Sequence, residues 1–263
     1  MSLRGKRVLI TRPREDSREF ISAIEADGGE AVVVPMISIS DPDSWSGCDD
    51  ALERLESFDG LVFASGNGVR KFFERAEKKG IRLHVLEQKA IYAVGEKTKR
   101  LIEEYALPVR FVPDDYSLTS LATNFTASTV FGKRFLLVRG NIGKEELALR
   151  LTKLGAIVES IVVYKTSKPS EKDGAALRQM IESGEIDIVT FASPSAVRNF
   201  LEDVPAETCN QSKIAVIGPT TRDAAVDASV HVDIIADVST VEGLIRAMSK
   251  FYEKENVKDM THL

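Results

Sequence analysis

Phe63-Ala64-Ser65-Gly66-Asn67-Gly68-Val69-Arg70 decides how this chain folds, because it recurs as Phe191-Ala192-Ser193-Pro194-Ser195-Ala196-Val197-Arg198. Each copy follows an apolar run, Leu61-Val62-Phe63 or Ile188-Val189-Thr190-Phe191, and breaks at small and hydroxyl residues before helical periodicity begins. That pattern is a strand, a turn and a helix. The runs lack polar alternation, so both faces of each strand are covered, as in a parallel sheet flanked by helices.

Working outward, the unit repeats. Val8-Leu9-Ile10 leads to Thr11-Arg12-Pro13, and Ile91-Tyr92-Ala93-Val94 leads to Gly95. Phe135-Leu136-Leu137-Val138 leads to a turn at Arg139-Gly140-Asn141, and Ile214-Ala215-Val216-Ile217 to Gly218-Pro219-Thr220-Thr221. These units form two series in one order. Gly5-Lys6-Arg7 matches Gly132-Lys133-Arg134, Ala93-Val94-Gly95 matches Val216-Ile217-Gly218, and Ser117-Leu118-Thr119-Ser120-Leu121 resembles Ser239-Thr240-Val241-Glu242-Gly243-Leu244. An offset near ~125 residues means two whole domains rather than a solenoid. The reading is α/β, with two parallel-sheet domains from an internal duplication and a working site in the cleft between them. A rhythm shared by any two α/β domains is the alternative; the matched polar turn residues favour duplication.

Two β-rich segments, 32–39 and 158–167, break the pattern at matched places. At ~3.3 Å per residue a strand of that length could cross from one domain to the other. They are expected to form a two-stranded β connector; a long ordinary strand plus a loop is the competing reading.

Composition narrows the class. The 263 residues are 43% hydrophobic and 29% charged, enough for large cores. A formal net charge of -5 without a basic cluster argues against a nucleic-acid partner, but not against a small anion. No apolar run approaches the ~20 residues of a membrane span, and no apolar signal core precedes the first strand. Cys48 and Cys209 are the only cysteines, which suits a reducing compartment. The expectation is a cytoplasmic protein with no membrane partner.

In open α/β sheets, ligands bind at the carboxyl ends of the strands. Here those ends carry Arg12, Ser65-Gly66-Asn67-Gly68, Gly95 with Thr98, Arg139-Gly140, Ser193-Pro194-Ser195 and Gly218 with Thr220-Thr221. Small residues admit a ligand to the backbone, and helix N-termini attract carboxylates or phosphates. Arg12, Arg14, Arg70, Lys97, Arg139, Lys144, Arg198 and Arg222 lie close in sequence. Together the loops read as a polyanion site; any one alone reads equally as a helix cap with solvated cations.

Familiar signatures are missing. Gly140-Asn141-Ile142-Gly143-Lys144-Glu145 has the wrong spacing for a phosphate loop, and Gly66-Asn67-Gly68 lacks the third glycine of a dinucleotide site. His84, His231 and His262 have no zinc spacing. No metal and no cofactor are therefore expected. Tyr164 is the best hydroxyl for proton donation, with packing over a sheet edge as its plainer role.

The ordered set Val8-Leu9-Ile10-Thr11-Arg12-Pro13, Phe63 to Val69, Ala93-Val94-Gly95 with Thr98, Val138-Arg139-Gly140, Val163-Tyr164, Phe191 to Ser195 and Ile217 to Thr221 resembles the uroporphyrinogen-III synthase family. Ala64 and Ala192 depart from it, standing where a hydroxyl residue is frequent. The resemblance implies two flavodoxin-like domains joined by a two-stranded ladder, the first βα unit packing with the C-terminal half. Domain 1 would then hold 1–36 plus 167–263, and domain 2 would hold 37–166. It implies a linear tetrapyrrole substrate, hydroxymethylbilane, cyclised with inversion of ring D through a spiro intermediate by a cofactor-independent monomer. Tyr164 would assist loss of the terminal hydroxyl, and Thr98 and Thr221 would hold carboxylates or cap helices. A non-catalytic anion-binding protein of the same fold, or a transferase acting on a phosphorylated molecule, remain the alternatives.

Overall fold

The computed structural model describes residues 2–113, 118–143, 145–169 and 173–261; Ser117, Lys144 and His262 lie outside the described residues. The chain divides into two compact units, one of residues 1–38 and 167–263 and one of residues 39–166.

The first unit opens with β1 (Arg7–Ile10), α1 (Arg18–Ala26) and β2 (Glu30–Val33). The chain continues through β3 (Ser38–Ser40), α2 (Ser46–Glu53), β4 (Gly60–Phe63), α3 (Gly66–Lys78), β5 (Ala90–Ala93), α4 (Glu96–Glu103) and β6 (Val109–Phe111). Then come α5 (Leu118–Thr123), α6 (Ala127–Val130), β7 (Arg134–Gly140), α7 (Glu146–Lys153) and β8 (Ile157–Ser167). The first unit is completed by α8 (Gly174–Glu182), β9 (Ile188–Phe191), α9 (Pro194–Leu201), α10 (Ala206–Cys209), β10 (Lys213–Val216), α11 (Pro219–Asp227), β11 (Ile234–Ile235) and α12 (Val241–Thr261).

The sheet of the first unit runs β11-β10-β9-β1-β2, parallel throughout. That of the second runs β3-β8-β7-β4-β5-β6, parallel from β8 to β6. β7 and β8 thus take in the second sheet the places of β1 and β2 in the first. The duplication extends to single bonds. Gly5 and Gly132 sit at φ 74° and 72°, where any side chain costs about 1–2 kcal/mol. The Gly5 N–H donates to Gly28 O at 3.3 Å and the Gly132 N–H to Gly155 O at 2.9 Å. The Arg7 N–H donates to the Asp187 carboxylate at 2.8 Å, and the Arg134 N–H to Asp59 at 2.8 Å.

Strand side chains alternate between two apolar layers. Leu9 packs with Val189, Phe191 and Phe200, whereas Val8 and Ile10 pack with Phe20, Ile24 and Leu244. Leu61 and Phe63 meet Phe72 and Phe73, whereas Val62 meets Leu137 and Leu147. Full burial of such a side chain contributes about 1.5–3 kcal/mol. Both layers are filled, so each carboxyl edge is a fixed rim.

The expectation of one long strand over 32–39 is corrected. β2 ends at Val33, and only Ser38–Ser40 joins the second sheet. Pro35 has no N–H for a ladder, and the Met36 N–H instead donates to Thr11 O at 2.9 Å while its side chain is buried in the first unit. A second correction concerns Arg139 and Gly140, where the sequence predicts a turn opening a helix. They are the last residues of β7, and α7 begins only at Glu146.

Both cysteines are buried and free, and burial pushes each thiol up to about 12. Among the described residues, no helix is long and apolar enough to cross a membrane.

Candidate active site

In both sheets the strand order reverses beside one strand pair, β1/β9 in the first unit and β7/β4 in the second. Such switch points are where open α/β sheets take ligands. The residues proposed from sequence flank them.

At the β7/β4 edge, Ser65 follows β4 in an extended conformation and caps α3, its Oγ accepting the Gly68 N–H at 3.1 Å. The same hydroxyl donates to the Tyr164 phenol oxygen at 3.0 Å. Tyr164 reaches it because the β7–β8 register shifts between Arg139 and Gly140. Arg139 pairs with Val162 but Gly140 with Tyr164, leaving Val163 extra. Gly140 makes room for the ring, since a Cβ there would stand 2.5 Å from Tyr164 Cζ. With Ser65 donating, the O–H of the half-buried phenol has no acceptor among the described residues.

Next to α3, α4 begins at Gly95, which is extended and offers no side-chain cap. Thr98 in its first turn is 6% exposed. The pattern repeats in the first unit. Ser193 caps α9 by accepting the Ala196 N–H at 3.2 Å, with Pro194 opening the helix, and α11 begins at uncapped Gly218 with Thr221 3% exposed. The buried hydroxyls of Thr11, Ser17, Thr190 and Ser212 all donate to backbone carbonyls. The Thr98 and Thr221 side chains make no hydrogen bond among the described residues, and both lie in the first turns of their helices beside free helix N–H groups.

Arg12 leaves the end of β1, where Thr11 and Thr190 lock β1 to β9 through bonds of 2.7 and 2.8 Å. It is half-buried and has no hydrogen-bond or ion-pair partner among the described residues. Burial lowers its pKa from the usual guanidinium value, against the opposing charges of Asp16 and Glu19. Lys97, which is exposed, is likewise unpaired among the described residues.

Other expected cations are already used. Arg139 donates to Glu145 at 2.6 Å, Gly143 O at 2.8 Å and Gly140 O at 3.2 Å, and its side chain is 12% exposed. It closes its own loop. Arg14 reaches Val33 O, Arg70 the Asn67 amide, Arg198 the Ser195 hydroxyl and Arg222 Asp223. Asn67 and Ser195 are thereby partly engaged within their helices. Gly66 leaves room for Leu101, and Thr220 is exposed.

The structure thus groups Tyr164, Ser65, Gly68 and Gly140 at one rim, with Gly95 and Thr98 on the adjoining strand end. At the other rim it aligns Arg12, Ser193, Gly218 and Thr221 on neighbouring strands. Asn141, which is not among the site residues expected from sequence, binds Tyr164 and Thr166 through backbone and amide. Its signal was an asparagine directly after a strand-ending glycine. Among the described residues, no group of three or more His, Cys, Asp or Glu is placed to hold a metal ion.

The chain is 29% identical over 234 residues to a uroporphyrinogen-III synthase of Chlorobaculum parvum, covering 88% of this chain and 93% of that one. It is 27% identical to the enzyme of that name from Synechococcus elongatus, covering 94% and 96%. A crystal structure of a mutant uroporphyrinogen III synthase from the extreme thermophile Thermus thermophilus shares the fold with a TM-score of 0.68, at 20% identity, covering 95% of this chain and 100% of that one. The model of the family described as uroporphyrinogen-III synthase HemD matches residues 18–246. The chain belongs to the uroporphyrinogen-III synthase HemD family.

Proposed function

We propose that the chain is a uroporphyrinogen-III synthase, cyclising hydroxymethylbilane to uroporphyrinogen III with inversion of ring D. The observation that carries the reading is the phenol of Tyr164, which accepts from Ser65 and keeps its proton for an outside acceptor. That proton passes to the terminal hydroxyl of the bilane as its C–O bond breaks, so that water leaves and an azafulvenium cation remains beside the phenolate, which regains a proton when ring D sheds its α-hydrogen on reclosure. The substituted carbon of ring D attacks this electrophile to give a spiro intermediate. Fragmentation and reclosure then attach ring D in reverse.

The competing closure, without inversion, needs no help. The enzyme's task is therefore to hold the bilane in one pose, and positioning is worth about 7–11 kcal/mol in good intramolecular cases. The acetate and propionate groups give it many handles. Arg12, the uncapped first turns of α4 and α11 and the unspent Thr98 and Thr221 hydroxyls are suited to them. The serine-capped turns at Ser65-Gly66-Asn67-Gly68 and Ser193-Pro194-Ser195 offer backbone beside these groups. The reading requires no metal or cofactor, and takes a cytoplasmic monomer.

Supplied with enzymatically generated hydroxymethylbilane, the protein should yield isomer III when the products are oxidised and resolved. Isomer I alone would overturn the proposal. Tyr164→Phe should lower kcat about 10²–10⁴-fold with the fold intact, because Ser65 still caps α3. Unchanged isomer III production would remove Tyr164 from the chemistry.

A further inference from the structure

We infer that Asn141 is a positioning residue for the Tyr164 phenol, an inference that rests on the catalytic reading of Tyr164. Asn141 follows the last residue of β7, and its contacts to β8 bracket the tyrosine. Its backbone N–H donates to Tyr164 O at 3.1 Å. Its Oδ1 accepts the Thr166 N–H at 2.8 Å, and its Nδ2 donates to Thr166 O at 3.2 Å.

The need for such a clasp follows from the register. The ladder between β7 and β8 slips at Arg139/Gly140, and β7 ends at Gly140. The end of β8 beyond Tyr164 therefore has no β7 strand to hold its direction. Asn141 substitutes for that strand with its side-chain amide, which presents a donor and an acceptor as a peptide does. Gly140 shapes the bed for the ring, Ser65 touches the phenol oxygen, and Asn141 fixes the backbone that carries it.

The duplicated half is an internal control. Gly132-Lys133-Arg134 matches Gly5-Lys6-Arg7, which aligns Asn141 with Arg14. The Arg14 side chain makes one exposed hydrogen bond among the described residues, to Val33 O at 3.3 Å. The strand end it touches carries Val34-Pro35-Met36 and no phenol. The two-sided clasp accompanies the tyrosine and is missing from the copy that lacks one.

A phenol displaced by about 1 Å can lose about 10²-fold in rate. Asn141→Ala should therefore lower kcat about 10–100-fold and leave KM within about 3-fold. The clasp lies on the solvent side, so the melting temperature should fall by no more than about 2–4 °C. Asn141→Asp keeps the acceptor for the Thr166 N–H and should recover part of the rate. The deciding measurement is the double-mutant cycle. If Asn141 acts through the phenol, adding Asn141→Ala to Tyr164→Phe costs nothing further. The same fractional loss on the Tyr164→Phe background, or wild-type kcat for Asn141→Ala, would overturn the proposal. Tyr164→Phe turning over at the wild-type rate would instead sink the reading of Tyr164 on which it rests.

Discussion

Arg12 and Arg139 stand at matched places in the two halves, each just past an apolar strand run, and the fold uses them differently. Arg139 is tied to Glu145 and two loop carbonyls, while Arg12 is partly desolvated, with Asp16 and Glu19 acting on it only at a distance and no hydrogen-bond partner among the described residues. A cation held that way gains most when an anion arrives. A hydrogen bond to a charged group contributes about 1.5–3 kcal/mol, so Arg12→Gln should lower kcat/KM about 10–150-fold. The same change removes a half-buried charge whose desolvation outweighs the pull of Asp16 and Glu19, so the melting temperature should hold or rise. A large fall in melting temperature would show that Arg12 is structural. The sequence could not separate the two arginines, because the difference is made by Glu145 at the far side of a loop. The serine caps, by contrast, were legible, since a hydroxyl between strand and helix has one dominant use.

Among the elements, α2 and α3 are joined by a charge cluster on the second unit. Asp49 accepts from Arg75 at 2.6 and 2.7 Å and pairs with Lys79 at 3.1 Å, and Trp45 lies 5.0 Å from the Arg75 guanidinium. These contacts, the Arg75 hydrogen bond first, hold the Asp49 carboxyl at about 2. Its folded pKa lies below the unfolded value of about 3.9. Its stabilisation is therefore present above about pH 4 and is lost as the pH falls toward 2. Asp49→Asn should unfold at lower denaturant concentration than wild type at pH 7, with the gap closing near pH 2. A gap independent of pH would reject the ion pair as its cause. Strand–turn–helix units were readable because buried strands are continuously apolar. The ends were less so: 32–39 consists of strand formers, yet Pro35 and the buried Met36 divide it between two sheets. Arg139-Gly140 reads as a turn, yet the glycine continues β7 because the Tyr164 ring occupies the space of its missing side chain.

At the scale of the whole molecule, the second unit is one continuous stretch, 39–166, and the first is assembled from both ends of the chain. A polypeptide of residues 39–166 should fold alone, with a single cooperative transition and about 5–15 kcal/mol of stability. Residues 1–38 should show none, because β1 pairs on one side with β9. Loss of cooperativity in the 39–166 polypeptide by calorimetry would contradict this division. The placement of β1 between β2 and β9 also sets a timetable. At about 5–20 residues per second, the roughly 150 residues separating Val33 from Ile188 take about 8–30 s to translate. For that interval β1 has only β2 beside it and its apolar β9-side edge is unpaired, while the stretch made after them can already mature. The nascent chain is thus most exposed to aggregation at its oldest part, and a holdase that shields emerging amino-terminal segments should raise its soluble yield.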